Sequence, residues 1–343
     1  MTYYDGTKLL SLTDINGEKP EIYIATTNRT GGKTTYFSRL LVNRFIDKKE
    51  KFCLLYRYSY ELDDVADKFF KDINSLFFPK LTMHQKKRAR GAFVELFLDG
   101  ESCGYAVALN GAENVKKYSH FFSDVRRMFF DEFQSETNNY CTDEVKKLMS
   151  VHTSIARGQG KQTRYVPLYM CGNPVTILNP YYVALGISDK VRDNTKFLRG
   201  DGFVMEQGYV DSAANALKSS GFMRAFAGNA YVNYAAESVY LNDSKIFIEK
   251  MSGKSRYLAT VACDGVNYAI REFGEQGVIY CDKNVDYTNP NKIAVTTADM
   301  RINYVMLRSV QMFVDSMRFY FSHGCFRFRD LQCKSVVLKL LSF

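Results

Sequence analysis

"EIYIATTNRTGGKTTYFSRLLVNRF", residues 21–45, decides how the rest of the chain is read. "EIYIA" is short, apolar and β-branched, which predicts a buried strand, and Phe37, Leu40, Leu41 and Phe45 then recur at helical spacing. A strand, a glycine-containing turn and a helix form the context of a phosphate-binding loop, G-x-x-x-x-G-K-[ST]. Gly32, Lys33 and Thr34 supply the end of that pattern, but Thr27 stands where the first glycine belongs. In such a loop the backbone N–H groups of residues 28–34 wrap the β-phosphate at a helix N-terminus, Lys33 reaches the β/γ oxygens and the Thr34 hydroxyl ligates Mg²⁺. Thr27 fits only if its backbone avoids positive φ. Thr27, Asn28, Arg29, Thr30, Gly31, Gly32, Lys33, Thr34 and Thr35 are therefore candidate contacts to ATP. An ordinary Gly-Gly turn is the plainer alternative.

A second stretch bears on the choice. In "RRMFFDEF", residues 126–133, Met128, Phe129 and Phe130 read as an apolar strand ending in Asp131 and Glu132. A strand that delivers carboxylates to its C-terminal edge is the Walker B arrangement, with Asp131 holding Mg²⁺ through water and Glu132 orienting or deprotonating the attacking water. Lys33 and Asp131 lie 98 positions apart, room for a further strand or more, as in P-loop ATPases with an additional strand and a catalytic Glu. Strand ends also carry acids merely as solvated caps. Together the two stretches predict an ATPase.

Composition sets the frame. The 343 residues are 46% hydrophobic with 6 Pro and 22 Gly, a globular balance with room for one large domain and a smaller one. No apolar run approaches the ~20 residues that span a bilayer, and the first residues lack the build of a signal peptide, so a cytoplasmic protein with no membrane partner is expected. The 8 cysteines contain no C-x-x-C pair, which suggests neither a zinc site nor a disulfide scaffold. A net charge of +9 suits a polyanionic partner, because each cation that neutralises a phosphate releases counterions.

Between the two motifs, "KFCLLYRYSYELDD" predicts a buried strand ending at Arg57 and Tyr58, "LDDVADKFFKDINSLF" a helix, and "GAFVELFLDGESCGYAVAL" a hairpin turning at Asp99-Gly100. "KKRAR" (Lys86, Lys87, Arg88, Arg90) precedes the hairpin and "NVKKYSH" (Lys116, Lys117) follows it. Each cluster reads as a solvated face or as a DNA-facing loop.

The set "YIATTNRTGGKTTY", "LLYRYSYEL", "LFLDGESCGYAVAL", "MFFDEF", "LNPYY" and "SKIFIEK" resembles, in order and over nearly the whole chain, the double-stranded DNA packaging ATPases, or encapsidation proteins, of small phi-29-type tailed phages. Thr27 and Thr30 depart from the glycines usual in that family's loop, whereas Lys33 and Thr34 are retained. The resemblance implies a homomeric ring, typically of five subunits, that sits on the portal of a procapsid in the host cytoplasm and drives double-stranded DNA inward by ATP hydrolysis. A structural RNA is a further candidate partner. It also implies ATP at subunit interfaces, with an arginine inserted by the neighbour to neutralise the transferring phosphoryl group. The matching segment, "SVHTSIARGQGKQTR", makes Arg157 the first candidate and Arg164 the second. The strand "YVPLYMCGN" ends in Asn173, which resembles a polar γ-phosphate sensor and reads equally as a turn residue before Pro174.

The fold class that results is α/β: a P-loop ATPase domain with an additional-strand (RecA/FtsK-like) sheet over 1–204, a helical linker over 205–244, and a smaller α/β domain over 245–343. By resemblance the last is RNase-H-like, the counterpart of a terminase nuclease. Asp264, Glu272 and Asp282 are its candidate metal carboxylates, but nothing in their spacing forces them together, and a vestigial nuclease is the favoured reading. "RFYFSHGCFRFRDLQCK", with Arg318, Arg327 and Arg329 among Phe and Tyr, fits a nucleic-acid surface or a core. Two other functions stay open: a different DNA-translocating ring ATPase, and a non-hydrolysing nucleic-acid-binding assembly protein with a degenerate loop.

Overall fold

Ile22–Thr26 form a strand because four of its five side chains are wholly buried, Tyr23 and Ala25 on one face of a sheet and Ile24 on the other. Burial on both faces is what turns a continuous apolar run into a central parallel strand. The computed structural model describes residues 3–341 apart from 138, 189, 192–194, 238–239 and 241–246. The chain forms two compact units, Met1–Asn242 and Asp243–Phe343.

The first unit runs α1 (Thr7–Ser11), β1 (Ile22–Thr26), α2 (Lys33–Lys48), β2 (Lys51–Tyr56), α3 (Val65–Phe77), β3 (Met83–Arg88), β4 (Phe93–Leu98), β5 (Glu101–Ala108), α4 (Ala112–Lys117) and β6 (Val125–Phe130). It continues with α5 (Glu144–Ala156), β7 (Leu168–Gly172), α6 (Pro180–Ala184), β8 (Phe197–Gly200), β9 (Phe203–Gln207), α7 (Asp211–Ser219), α8 (Gly221–Ala225) and α9 (Ala230–Glu237). Its nine strands form one sheet in the order β3-β4-β5-β2-β6-β7-β1-β9-β8. From β5 to β9 every neighbouring pair is parallel. The additional strand is β7, which separates the loop strand β1 from the acid-bearing strand β6. Parallel strands put all their C-terminal ends on one edge, and ligands of open α/β sheets bind there.

Helix α2 lies on the Tyr23 face, where Phe37 packs at 5.2 Å from the Tyr169 ring and 6.0 Å from Phe129. The opposite face carries Leu55, Met128, Phe130 and Met170 against Val151 and Ile155 of α5. Asp99 (φ 47°) and Gly100 (φ 83°) make the tight turn between β4 and β5, as the dipeptide predicts. Of the two readings of "KKRAR", the solvated face fits Lys86 and Lys87, which are exposed, and the loop does not. Lys86–Arg88 belong to β3, so the hairpin is a three-stranded meander with β3 at the edge of the sheet. Polar side chains suit such an edge because they discourage pairing with other chains. β9 continues to Gln207 inside the sheet, and α7–α9 count with the first compact unit rather than forming a separate linker.

The second unit comprises β10 (Arg256–Cys263), β11 (Val266–Phe273), β12 (Val278–Asp282), β13 (Lys292–Ala294), β14 (Val305–Met306), α10 (Gln311–Ser322), β15 (Phe326–Phe328) and α11 (Leu331–Leu341). The sheet order is β14-β13-β10-β11-β12-β15. β10, β11 and β12 are antiparallel, β13 is parallel to β10, β14 to β13 and β15 to β12. Asp264 (φ 52°) and Gly265 (φ 78°) form the β10–β11 turn. In "SKIFIEK", residues 244–246 lie outside the described residues, and Ile248 forms only an isolated bridge to Phe328. Val310 is the N-cap of α10, and Val305 and Met306 before it are extended in β14.

Candidate ATP site

The loop after β1 turns into α2 at Gly32, whose φ of 91° puts it in the left-handed region that a glycine adopts freely. Thr30 is also left-handed (φ 59°), whereas Thr27 is not among the residues of positive φ. Thr27 donates its hydroxyl to the Asn28 carbonyl at 2.9 Å, and a Cβ on Gly31 would fall 2.9 Å from that hydroxyl oxygen. A side chain at the loop entry thus takes the space that only glycine leaves four residues later. The Asn28 side chain is turned inward: it accepts from the Val210 amide at 2.9 Å and donates to the Val210 carbonyl at 3.1 Å. The N-terminal segment closes the loop from outside, with Tyr4 donating its amide to the Gly31 carbonyl at 2.8 Å.

Lys33 and Thr34 open α2, where unpaired N–H groups and the helix dipole favour anions. Lys33 is 93% buried side by side with the ends of β6 and β7, and its ammonium donates to Asn173 Oδ1 at 2.6 Å. Burial lowers its pKa, and Asp131 opposes that shift. Thr34 Oγ1 donates to Asp131 Oδ1 at 3.2 Å, and the Glu132 amide to the same oxygen at 3.0 Å. Desolvation pushes the Asp131 carboxyl up to about 6, with Lys33 pulling the other way. Glu132 is exposed beside it. Lys33, Thr34, Asp131, Glu132 and Asn173 therefore share one hollow at the C-terminal edge of the sheet. The Thr34 hydroxyl and Asp131 carboxylate form an all-oxygen pair suited to Mg²⁺, which keeps most of its waters and needs few protein ligands.

The raised Asp131 value gives a stability prediction. The folded carboxyl keeps its proton to about pH 6, the unfolded one only to about 4, so ionised Asp131 costs stability above pH 6 and the cost vanishes as pH falls from 6 toward 4. Asp131→Asn is expected to raise the melting temperature of the nucleotide-free protein at pH 7.5 by about 2–4 °C, with the difference closing at pH 4.5. Calorimetry at the two pH values checks it.

Two groups that sequence reading missed complete the hollow. Arg57, at the end of β2, donates Nε to both oxygens of Glu144 (2.9 and 3.1 Å) and its terminal nitrogens to the Phe133 carbonyl (2.9 Å) and the Glu132 carbonyl (3.4 Å). Glu144 is buried and also accepts from Tyr181 Oη at 2.6 Å and the Cys141 amide at 2.9 Å. This network clamps Glu132 in a left-handed conformation (φ 53°), which a non-glycine residue adopts only when its surroundings enforce it. The other group is Glu136, which pairs with Arg29 and accepts from Tyr234 Oη at 2.5 Å. The Arg29 amide donates to the Ala235 carbonyl of α9 at 3.0 Å.

Arg157 and Arg164 separate clearly. Arg164 is 96% buried and its guanidinium donates to the carbonyls of Ile155 (2.6 Å) and Val125 (2.8 Å), so the second finger candidate is a structural residue. Arg157 is exposed in a turn with Gly158, Gln159 and Gly160, all of positive φ. Its carbonyl is bonded by Arg164 beside the start of β6, roughly 20 Å along the strand from Asp131. Arg157 thus sits on the sheet edge opposite its own phosphate loop.

The basic candidates divide as well. Lys87 pairs with Asp63, Arg88 with Glu95, Lys116 with Glu113 and Arg327 with Glu249. Lys86, Arg90, Lys117 and Arg329 are exposed and make no side-chain hydrogen bond or ion pair among the described residues. In the second unit the three carboxylates do not gather: Asp264 pairs with Lys339, Glu272 with Arg256 and Asp282 with Arg271. Arg318 is held by Asp315 and the Leu341 carbonyl.

An open parallel sheet with a phosphate loop on β1, an acid pair on β6 and an interposed β7 defines an additional-strand P-loop ATPase. The family model of the podovirus DNA encapsidation protein (Gp16) matches residues 1–342, and the chain belongs to that family, the ATPases of viral DNA packaging. The DNA packaging protein of Bacillus phage phi29 is 25% identical over 313 residues, 90% of each chain, and that of Bacillus phage B103 is 25% identical over 279 residues, 80% of this chain and 82% of the other. In fold, the chain is similar to a subunit of the bacteriophage Phi-29 genome packaging motor assembly, with a TM-score of 0.68 at 23% identity, covering 100% of this chain and 98% of that one. A chain of the Phi-28 packaging motor gives a TM-score of 0.60 at 16% identity, covering 99% of this chain and 98% of the other.

Proposed function

We propose that this ATPase works as a homopentameric ring on the portal of a procapsid and drives double-stranded DNA through the ring, with each ATP completed by two subunits. The observation that carries the reading is the division of charge between the two sheet edges: the phosphate loop, Asp131 and Glu132 on one, the unpaired Arg157 on the other. In this reading the loop 27–35 binds the triphosphate, Thr34 and Asp131 hold Mg²⁺, and Asn173 senses the γ-phosphate. Bound Mg²⁺ would neutralise charge on the β- and γ-phosphates. Glu132 takes the proton of the attacking water, and the neighbour's Arg157 stabilises the departing phosphoryl charge.

Lys86, Arg90, Lys117 and Arg329 are the cations best placed to grip DNA phosphates, since none of them pairs with an acid among the described residues. Grip through phosphates ignores base identity and weakens with salt. A structural RNA at the portal would meet the same electrostatics.

The two-subunit site is tested by mixing. Lys33→Ala and Arg157→Ala are each expected to be inactive alone, measured as phosphate release with procapsids and double-stranded DNA. Mixed, they are expected to regain part of the activity, because a Lys33→Ala subunit supplies its arginine to an intact loop next door. Recovery absent at every ratio, with both proteins folded, would show that Arg157 acts in its own subunit or not at all.

A further inference from the structure

Thr27 stands where glycine opens the common phosphate loop, and the chain ahead of α1 supports this loop from outside. Tyr4 donates its amide to the Gly31 carbonyl at 2.8 Å. No peptide bond among the described residues is cis. In a trans peptide the carbonyl and the next N–H point in opposite directions. The bond from Tyr4 therefore turns the Gly32 N–H away from the segment and toward the inner side of the loop, where a phosphate would bind. Tyr3 covers Gly32 from the same outer side: a Cβ on Gly32 would lie 3.2 Å from Tyr3 Cδ1.

The segment has anchors of its own. Tyr4 is buried, and its hydroxyl donates to Glu206 Oε2 of β9 at 2.7 Å. Its ring meets Tyr36 of α2 edge-on at 5.7 Å and lies 6.2 Å from Phe37. Gly6 passes so close to Tyr36 that a Cβ there would fall 2.7 Å from Cε1 of that ring. Leu9 of α1 is wholly buried in the same core. Burial raises the Glu206 carboxyl and the bond from Tyr4 works against that shift, so the two side chains hold one another in place. The segment thus touches β9, the first turns of α2 and the loop that α2 follows.

We propose that residues 3–9 are a strap that presets the phosphate loop for a triphosphate, with Tyr4 as its positioning residue. The inference rests on the proposed ATP site, because it takes the loop of residues 27–35 to be the phosphate-binding element. Tyr4 acts through the Gly31 carbonyl and touches neither the nucleotide nor the reacting atoms. A preset loop binds more tightly because its backbone is ordered before the ligand arrives. Coupling of this kind is reciprocal: the factor that a closed strap adds to ATP affinity is the factor that ATP adds to closure of the strap.

The test uses the full chain with Mg²⁺ and two probes, a fluorescent ATP analogue and a non-hydrolysable one. Tyr4→Ala removes the ring and the hydroxyl, whereas Gly6→Ala pushes the segment off Tyr36 and leaves Tyr4 intact. Each is expected to raise the dissociation constant of the fluorescent analogue about tenfold. In steady-state phosphate release each is expected to lower kcat far less than it raises KM. Tyr4→Phe, which keeps the ring and the amide, is expected to recover most of the affinity. In wild type the non-hydrolysable analogue is expected to slow amide exchange in peptides covering residues 3–12. Wild-type affinity in both Tyr4→Ala and Gly6→Ala overturns the proposal, and so does a fall in kcat with affinity unchanged. Should Tyr4→Ala fail to fold, Gly6→Ala and the wild-type exchange decide, and exchange unaltered by the analogue overturns the strap. If wild type binds neither analogue, the ATP-site reading falls and this inference falls with it. Wild-type binding that both variants leave unaltered overturns this inference alone.

Discussion

Glu132→Gln is expected to bind ATP with nearly wild-type affinity while losing steady-state turnover by on the order of 10²–10⁴-fold. The amide keeps the shape of the side chain and can still contact water, but it cannot take a proton. Among the described residues Glu132 makes no hydrogen bond or ion pair with Lys33 or Thr34, the residues proposed to hold the triphosphate, and acts on Lys33 only through its charge, so binding should change little. Its backbone, on which Arg57 acts, is likewise untouched by the substitution. Fluorescent nucleotide titration and steady-state phosphate release measure the two quantities separately. Full turnover in this variant would remove Glu132 from the catalytic role.

The second large effect is expected at Arg57, and it has two parts. Arg57 and Glu144 are buried together, with side-chain exposures of 11% and 1%, so truncating the arginine leaves a carboxylate without its counter-ion. Breaking a buried pair in this way costs about 3–5 kcal/mol. The same truncation frees the Glu132 and Phe133 carbonyls, and with them the left-handed turn that aims the carboxylate proposed to take the water's proton. Arg57→Ala is therefore expected to lower the melting temperature by several degrees and to lower kcat far more than it changes KM for ATP. Arg57→Lys separates the two parts. It retains a charge near Glu144 but loses the planar fork that reaches three acceptors at once, so stability should recover more than turnover does. A variant in which both recover equally would show that charge alone, not geometry, matters at this position.

Sequence reading reached the parts of this site that are local. The strand, loop and helix of residues 21–45 are contiguous, and their order alone predicts a phosphate loop. "MFFDEF" delivers its acids by the same logic, because a strand end is defined by a few neighbouring residues. The Asp99-Gly100 turn was legible since the dipeptide specifies its own backbone. What could not be read depends on partners far apart in sequence. Arg57 meets Glu144 across 87 positions, and neither residue differs locally from a solvated surface charge. Arg164 reads as a loop arginine in "GKQTR", yet three backbone carbonyls that converge only in the fold, those of Phe122, Val125 and Ile155, bury it. Lys86, Lys87 and Arg88 read only as charge, on a solvated face or a loop, because an edge strand that tolerates such residues carries no local signal of its own. An RNase-H-like second unit was implied by a resemblance alone, whereas the separation of Asp264, Glu272 and Asp282 emerges only from their individual partners.

The contacts of Lys33 with Asn173 and of Arg29 with Glu136 carry a consequence for the timing of the motor. Both cations proposed to embrace a triphosphate already have a protein acceptor in the fold. Incoming ATP must exchange those acceptors for phosphate oxygens, which weakens its affinity and, by the same exchange in reverse, hastens the departure of ADP. Tyr234 of α9 donates to the same Glu136, so an Arg29 turned from Glu136 to a phosphate would leave the loop and α9 with one shared contact fewer.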